Sequence, residues 1–208
     1  MGDIINTLLT GGVAVALVGV AGQVLVWWLD KLKRGNHKSD SNILPEQVEN
    51  LIEIQQIMER VLDKSPVKRF LIFKTENGGG KPRLGSHLYA SAIYEAYRTP
   101  MVAVIDDYQR LLVDDIYVKM LSDIGPSSPN KLIRNDMKDG LLKRIYLKEN
   151  VTYAEVHYLA ETNNAFYYLS IATDEETERF NSPLNRVEIE IAVNKIANIF
   201  NGIINLKE

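Results

Sequence analysis

Between Asp3 and Asp30 the chain carries no charged side chain, and the run LLTGGVAVALVGVAGQVLVWWL at 8–29 is almost wholly apolar. At about 1.5 Å per residue, 22 helical positions reach about 33 Å, enough to cross a hydrocarbon layer of about 30 Å. Trp27 and Trp28 close the run, and indole rings favour the membrane–water interface. Lys31, Lys33, Arg34 and Lys38 follow, whereas the other flank offers only Asp3. That bias predicts a single-pass anchor with the short N-terminus outside and the C-terminal bulk cytoplasmic. Competing readings fit less well. A cleaved signal peptide requires a positive n-region, and MGDIINT lacks one. N-myristoylation requires Ser or Thr at position 6, where this chain has Asn6. The Gly and Ala residues of the run suit helix–helix packing in a bilayer but do not specify an oligomer. The expected organisation is an anchor at 1–30, a basic and polar linker at 31–44, and a globular domain at 45–208, with the lipid bilayer as the first partner.

The formal net charge is −3 over 208 residues, so the basic footprint of a nucleic-acid-binding protein is absent. No cysteine occurs, which removes disulfides, thiolate metal ligands and cysteine nucleophiles from the chemistry available.

Periodicity supplies the elements of 45–208. PEQVENLIEIQQIMERVLDK predicts a helix with Val48, Leu51, Ile52, Gln55, Met58, Val61 and Leu62 on one stripe, opened by Pro45 and followed by Pro66. VKRFLIFKTE (67–76) predicts a strand, and HLYASAIYEAY (87–97) its antiparallel partner. A second helix is expected over 106–125, with Leu112, Val113, Ile116, Tyr117, Met120, Leu121 and Ile124 as its apolar face. KLIRND suggests a short strand and LLKRIYL a further element. TYAEVHYLAETNNAFYYLSIATD (152–174) is the clearest hairpin, turning at Thr162-Asn163-Asn164. Ser182-Pro183 then opens a closing amphipathic helix.

Catalytic signatures fail on inspection. FKTENGGGKPRLGSH (73–87) suggests a phosphate cradle, but Lys81 is followed by Pro82 rather than Ser or Thr, and a strand follows instead of a helix. The stretch therefore predicts a strand-to-strand connection, from which Lys81 and Arg83 are expected to contact an anion or a partner. His37, His87 and His157 show no metal-ligand spacing. Asp106-Asp107 and Asp114-Asp115 read as solvated helix charges. Ser86-His87 has the wrong geometry for a nucleophile and its base. Ten tyrosines cluster mainly at 89–97 and 153–168, as core residues or as the lining of a pocket for a planar ligand. No catalytic residue, metal site or cofactor is assigned.

The order carried by VENLIEIQQIMERVLDKSPVKRFLIFKTENGG, VDDIYVKMLSDIG, TYAEVHYLAETNNAFYYLSIA and the closing helix resembles a GAF-like domain, with the PAS-like sensory fold as its neighbour. The resemblance implies an α+β fold: an antiparallel sheet with N- and C-terminal helices on one face and pocket-forming segments on the other. It also implies a homodimer through the terminal helices. An N-K-x-D-E run is missing, so no ligand residue is carried over. The resulting expectation is a membrane-anchored, non-catalytic sensory, regulatory or protein-interaction module with a small-molecule ligand or protein partner. The alternative is a phage-type structural or holin-like membrane protein whose Gly/Ala-rich helix oligomerises.

Overall fold

Strand β1 (Arg69–Glu76) sets the architecture, because its run Phe70–Phe73 is buried without a break. A strand that is apolar at consecutive positions must be covered on both faces. In the computed structural model β1 lies inside a six-stranded sheet of order β3-β2-β1-β6-β5-β4. The neighbours are β2 (Tyr89–Tyr97) and β6 (Phe166–Thr173), both antiparallel to it. β3 (Leu111–Leu112) and β4 (Asn130–Ile133) form the edges, and β5 (Tyr153–Glu161) joins β6 to β4. The fold is α+β. Residues 45–76, 81–85 and 87–205 are described, within a compact unit at 44–208. The expected anchor and linker, with Trp27, Trp28, Lys31, Lys33 and Arg34, lie outside the described residues. Among the described residues no helix is long and apolar enough to cross a membrane.

Two long helices cover one face. Helix α1 (Pro45–Lys64) buries Leu51, Ile54, Ile57, Met58, Val61 and Leu62. This shifts the expected stripe: Ile54 and Ile57 turn inward, while Ile52 is 44% exposed. The closing helix, Pro183–Asn205, packs on α1 and β5 and opens where the Ser182 carbonyl accepts from Arg186 N–H at 3.0 Å. Its Phe200 meets Tyr167, and Asn201 donates to the Leu159 carbonyl at 2.7 Å.

Shorter segments cover the other face. The helix expected over 106–125 is confined to α2 (Asp115–Ser122). Residues 104–113 run along β2 instead: Ala92 N–H reaches the Tyr108 carbonyl, and Arg110, with φ +50°, donates its N–H to Ser91 Oγ. Leu112 and Ile116, placed on the apolar face by periodicity, are 56% and 41% exposed. Asp114 is therefore not a mid-helix charge. It is the N-cap of α2, its Oδ1 accepting from Tyr117 N–H at 2.9 Å. Its Oδ2 accepts from Leu141 N–H at 2.6 Å, at the start of α3 (Leu141–Lys148). Gly140 permits that approach, since a Cβ there would lie 2.9 Å from Asp114 Oδ2. After β6 a single turn, α4 (Thr177–Phe180), leads into the closing helix, numbered α5.

The connection holding Lys81 and Arg83 joins β1 to β2, two antiparallel neighbours, so no helix N-terminus is there to meet a phosphate. Gly85, at φ +83°, supplies its left-handed turn. The 152–174 hairpin forms as expected. Thr162 closes its loop, accepting from Ala165 N–H on its hydroxyl at 3.1 Å and donating its own N–H to the Ala165 carbonyl.

Candidate functional site

The face opposite α1 and α5 carries a cavity ringed by aromatic side chains. Strand alternation sends Arg69, Leu71 and Phe73 of β1 to this side, where they meet Tyr168 of β6, Tyr108, Tyr117 of α2 and Tyr146 of α3. Phe73 stacks on Tyr168 with centroids 4.9 Å apart and planes 8° off parallel, and Tyr108 meets Phe73 edge-on at 5.6 Å. The hydroxyls of Tyr117 and Tyr168 share a buried hydrogen bond of 2.7 Å. Burial pushes the Tyr117 hydroxyl up to about 12 and Tyr168 well above its ordinary value. The free space these rings enclose is ≈ 20 Å³, room for one water-sized guest.

One end of the cavity is charged. Arg69 is 5% exposed at the start of β1. Its Nη1 donates to Glu149 Oε2 at 2.7 Å, its Nη2 to the Val102 carbonyl at 2.9 Å, and its Nε lies 3.5 Å from Glu95 Oε1. Glu95 also accepts from Val104 N–H and Ile105 N–H, each at 2.9 Å on Oε2, which ties the 99–110 segment to β2. Burial raises the pKa of both carboxyls, against the opposing pull of Arg69. Tyr108 and Glu149 line the same end of the cavity, and an exposed Lys148–Asp107 pair at 2.8 Å lies beside them. A buried ion cluster is poor stabilisation for its desolvation cost. Such a cluster in a concave, ring-lined place is a candidate binding site.

A second polar knot lies under α5. Glu155 of β5 is fully buried and accepts from Tyr153 Oη at 2.6 Å and Arg186 Nη1 at 2.6 Å, with His157 Nε2 at 3.2 Å. Burial alone would raise its pKa; the hydrogen bonds from His157, Arg186 and Tyr153 and the charge of Arg186 outweigh it and hold Glu155 at about 2. Arg186 thereby fastens the first turn of α5 to the sheet. Between α1 and α5 an open groove of ≈ 310 Å³ remains, lined by Ile57, Val61, Leu184, Val187 and Ile191 and edged by Arg60, Glu188 and Lys195. Leu184, Val187 and Ile191 are 79%, 57% and 53% exposed.

Lys81 and Arg83 border neither the cavity nor the groove. The Lys81 N–H donates to Glu161 Oε1 at 2.8 Å, and Arg83 is exposed. Of the four cavity tyrosines only Tyr168 belongs to the sequence clusters. Arg69, Glu95 and Glu149 carried one legible signal: Arg69 abuts the apolar run FLIF, an expensive place for a charge without a buried partner. Among the described residues no group of three His, Cys, Asp or Glu side chains is placed to hold a metal ion.

No family model and no curated protein sequence matches the chain. Several solved structures are similar in backbone. The GAF domain of a two-component sensor histidine kinase from Bacillus halodurans aligns with TM-score 0.46 and 10% identity over 74% of this chain and 97% of that one. A GAF domain/HD domain protein from Geobacter sulfurreducens gives 0.48 and 10% over 77% and 93%. The phycoerythrobilin-bound GAF domain of a cyanobacterial phytochrome gives 0.45 and 12% over 82% and 100%. At these values they carry no ligand, activity or residue role to this chain.

Proposed function

We propose that the chain is a membrane-tethered, non-catalytic regulatory module of the GAF-like kind, with its domain on the cytoplasmic side. In this reading the tyrosine-ringed face receives a small molecule, and the α1–α5 face meets a second copy. The observation that carries it is the buried Arg69–Glu95–Glu149 cluster at the end of a ring-lined cavity. A domain needing only a core would gain more from apolar residues there. Tethering rests on the uncharged run 8–29 and the basic residues that follow it. The second copy rests on the stripe Leu184–Val187–Ile191, which presents more apolar surface than a helix facing water needs. Its flanking charges are self-complementary: an antiparallel contact centred between Ile191 and Ala192 sets Glu188 against the other copy's Lys195.

Native mass spectrometry of the full chain released from detergent micelles tests both parts. The expected species is a dimer with a retained mass of about a hundred daltons or less. A bare monomer at every protein concentration overturns the proposal.

A further inference from the structure

The charged end of the cavity holds more acid than its single guanidinium balances, and that imbalance points to a ligand class. Arg69 faces two carboxylates, Glu95 and Glu149. Glu95 is secured by the backbone N–H groups of Val104 and Ile105 and cannot leave without freeing the 99–110 segment. Glu149 is differently placed. It is the C-cap of α3, where the negative end of a helix disfavours a carboxylate. The helix behind it has eight residues, and the residue after it, Asn150, is exposed with φ +55°. In the cavity it accepts from Arg69 Nη1 at 2.7 Å, with Tyr108 lining the same space.

We propose that Glu149 is a built-in substitute for the carboxylate of a short-chain aliphatic monocarboxylate, which displaces it from Arg69; this rests on the ligand-binding reading above. The incoming carboxylate inherits the Nη1 donor and lies beside Tyr108. Each Nη nitrogen carries two N–H groups, so Nη1 and Nη2 retain donors beyond the bonds to Glu149 and Val102, and a planar carboxylate can use both. The exchange conserves charge, whereas a dianion or a phosphate would add to an existing excess. Size follows from the space. The ≈ 20 Å³ void takes one methyl-sized group, and withdrawal of the Glu149 side chain makes room for the carboxylate, which limits the ligand to about two to four carbons. Tyr108, Tyr146 and Leu142 then enclose its apolar end.

Binding of ¹³C-propionate and of the neutral isostere propionamide to the full chain in detergent micelles, followed by ligand-observed NMR, tests this. Propionate is expected to bind Glu149→Gln at least about tenfold more tightly than the original chain, the equivalent of one charge-assisted hydrogen bond freed for the ligand. Propionamide is expected to bind neither. If Glu149→Gln loses its fold by circular dichroism, Glu149→Asp, which draws the carboxylate back by one methylene, is expected to shift affinity the same way. Equal binding of acid and amide, or propionate affinity unmoved by the variants, overturns the assignment. A different molecule retained in native mass spectrometry alongside no propionate binding overturns the ligand class and leaves the pocket reading standing. No retained molecule and no propionate binding overturn both.

Discussion

Removing the Asp114 carboxylate is expected to unfasten α3 before it unfolds the domain. The two oxygens serve different helices: Oδ1 accepts from Tyr117 N–H at 2.9 Å and Oδ2 from Leu141 N–H at 2.6 Å. Loss of an N-cap side chain costs about 1 kcal/mol, and loss of a charged acceptor from a partly buried N–H about 1.5–3 kcal/mol. Asp114→Ala is therefore expected to destabilise by about 3 kcal/mol, less than a strict sum because one side chain makes both bonds. Asp114→Asn separates them. Its oxygen still caps Tyr117, but its amide sets N–H against the N–H of Leu141, so α2 keeps its cap and α3 loses its anchor. Hydrogen exchange of the full chain in micelles is the discriminating assay. In Asp114→Asn the amides of Leu141–Lys148 are expected to exchange about 10- to 100-fold faster, matching a local loss of about 1.4–2.8 kcal/mol, while those of Asp115–Ser122 hold. Because α3 carries Tyr146 and leads into Glu149, the same variant is expected to loosen the charged end of the cavity. Uniform exchange across both helices in Asp114→Asn, or original protection of α3, would refute the double-cap reasoning.

Glu155 is expected to make the domain acid-sensitive. Its pKa of about 2 lies below the usual 4.5, so its stabilisation is complete above about 4.5 and is lost as pH falls toward 2, by up to about 3 kcal/mol. Urea midpoints measured at successive pH values are expected to fall less steeply with acid in Glu155→Gln than in the original chain. Tyr168→Phe leaves the Tyr117 hydroxyl buried without its partner and is expected to cost about 1–3 kcal/mol, whereas the double change Tyr117→Phe/Tyr168→Phe is expected to be milder than the single one; chemical denaturation of the three proteins checks this. At the helix groove, Lys195→Glu is expected to weaken self-association by sedimentation, and adding Glu188→Lys to restore it.

Where apolar runs were bounded by turn residues, or apolar positions recurred at helical spacing, the sequence was informative. β1, β2, the 152–174 hairpin and the two terminal helices all follow from apolar spacing and from proline and turn residues. The 106–125 segment failed because Leu112 and Val113 extend the helical stripe of α2 by coincidence. The backbone there is committed to β2, through the Tyr108 carbonyl and the Arg110 N–H, and helix begins only after the Asp114 cap. The cavity was less legible still. Tyr108, Tyr117, Tyr146 and Tyr168 come from four separate segments, and Arg69, Glu95 and Glu149 are brought together from β1, β2 and the end of α3. Pairing register joins two of the charges: Arg69 sits opposite Tyr97 on one side and Ala172 on the other, which sets its guanidinium beside Glu95 two residues from the end of β2, while Glu149 arrives from the end of α3.

The sheet's outer strands have a consequence for crowding. β3 spans two residues and β4 four, while the rest of β2's outer margin is overlaid by 104–110 through Ala92, Ser91 and Glu95. On that margin little backbone is left to template strand addition from another molecule. Crowded copies would thus find no long open strand at the β2 margin onto which to zip.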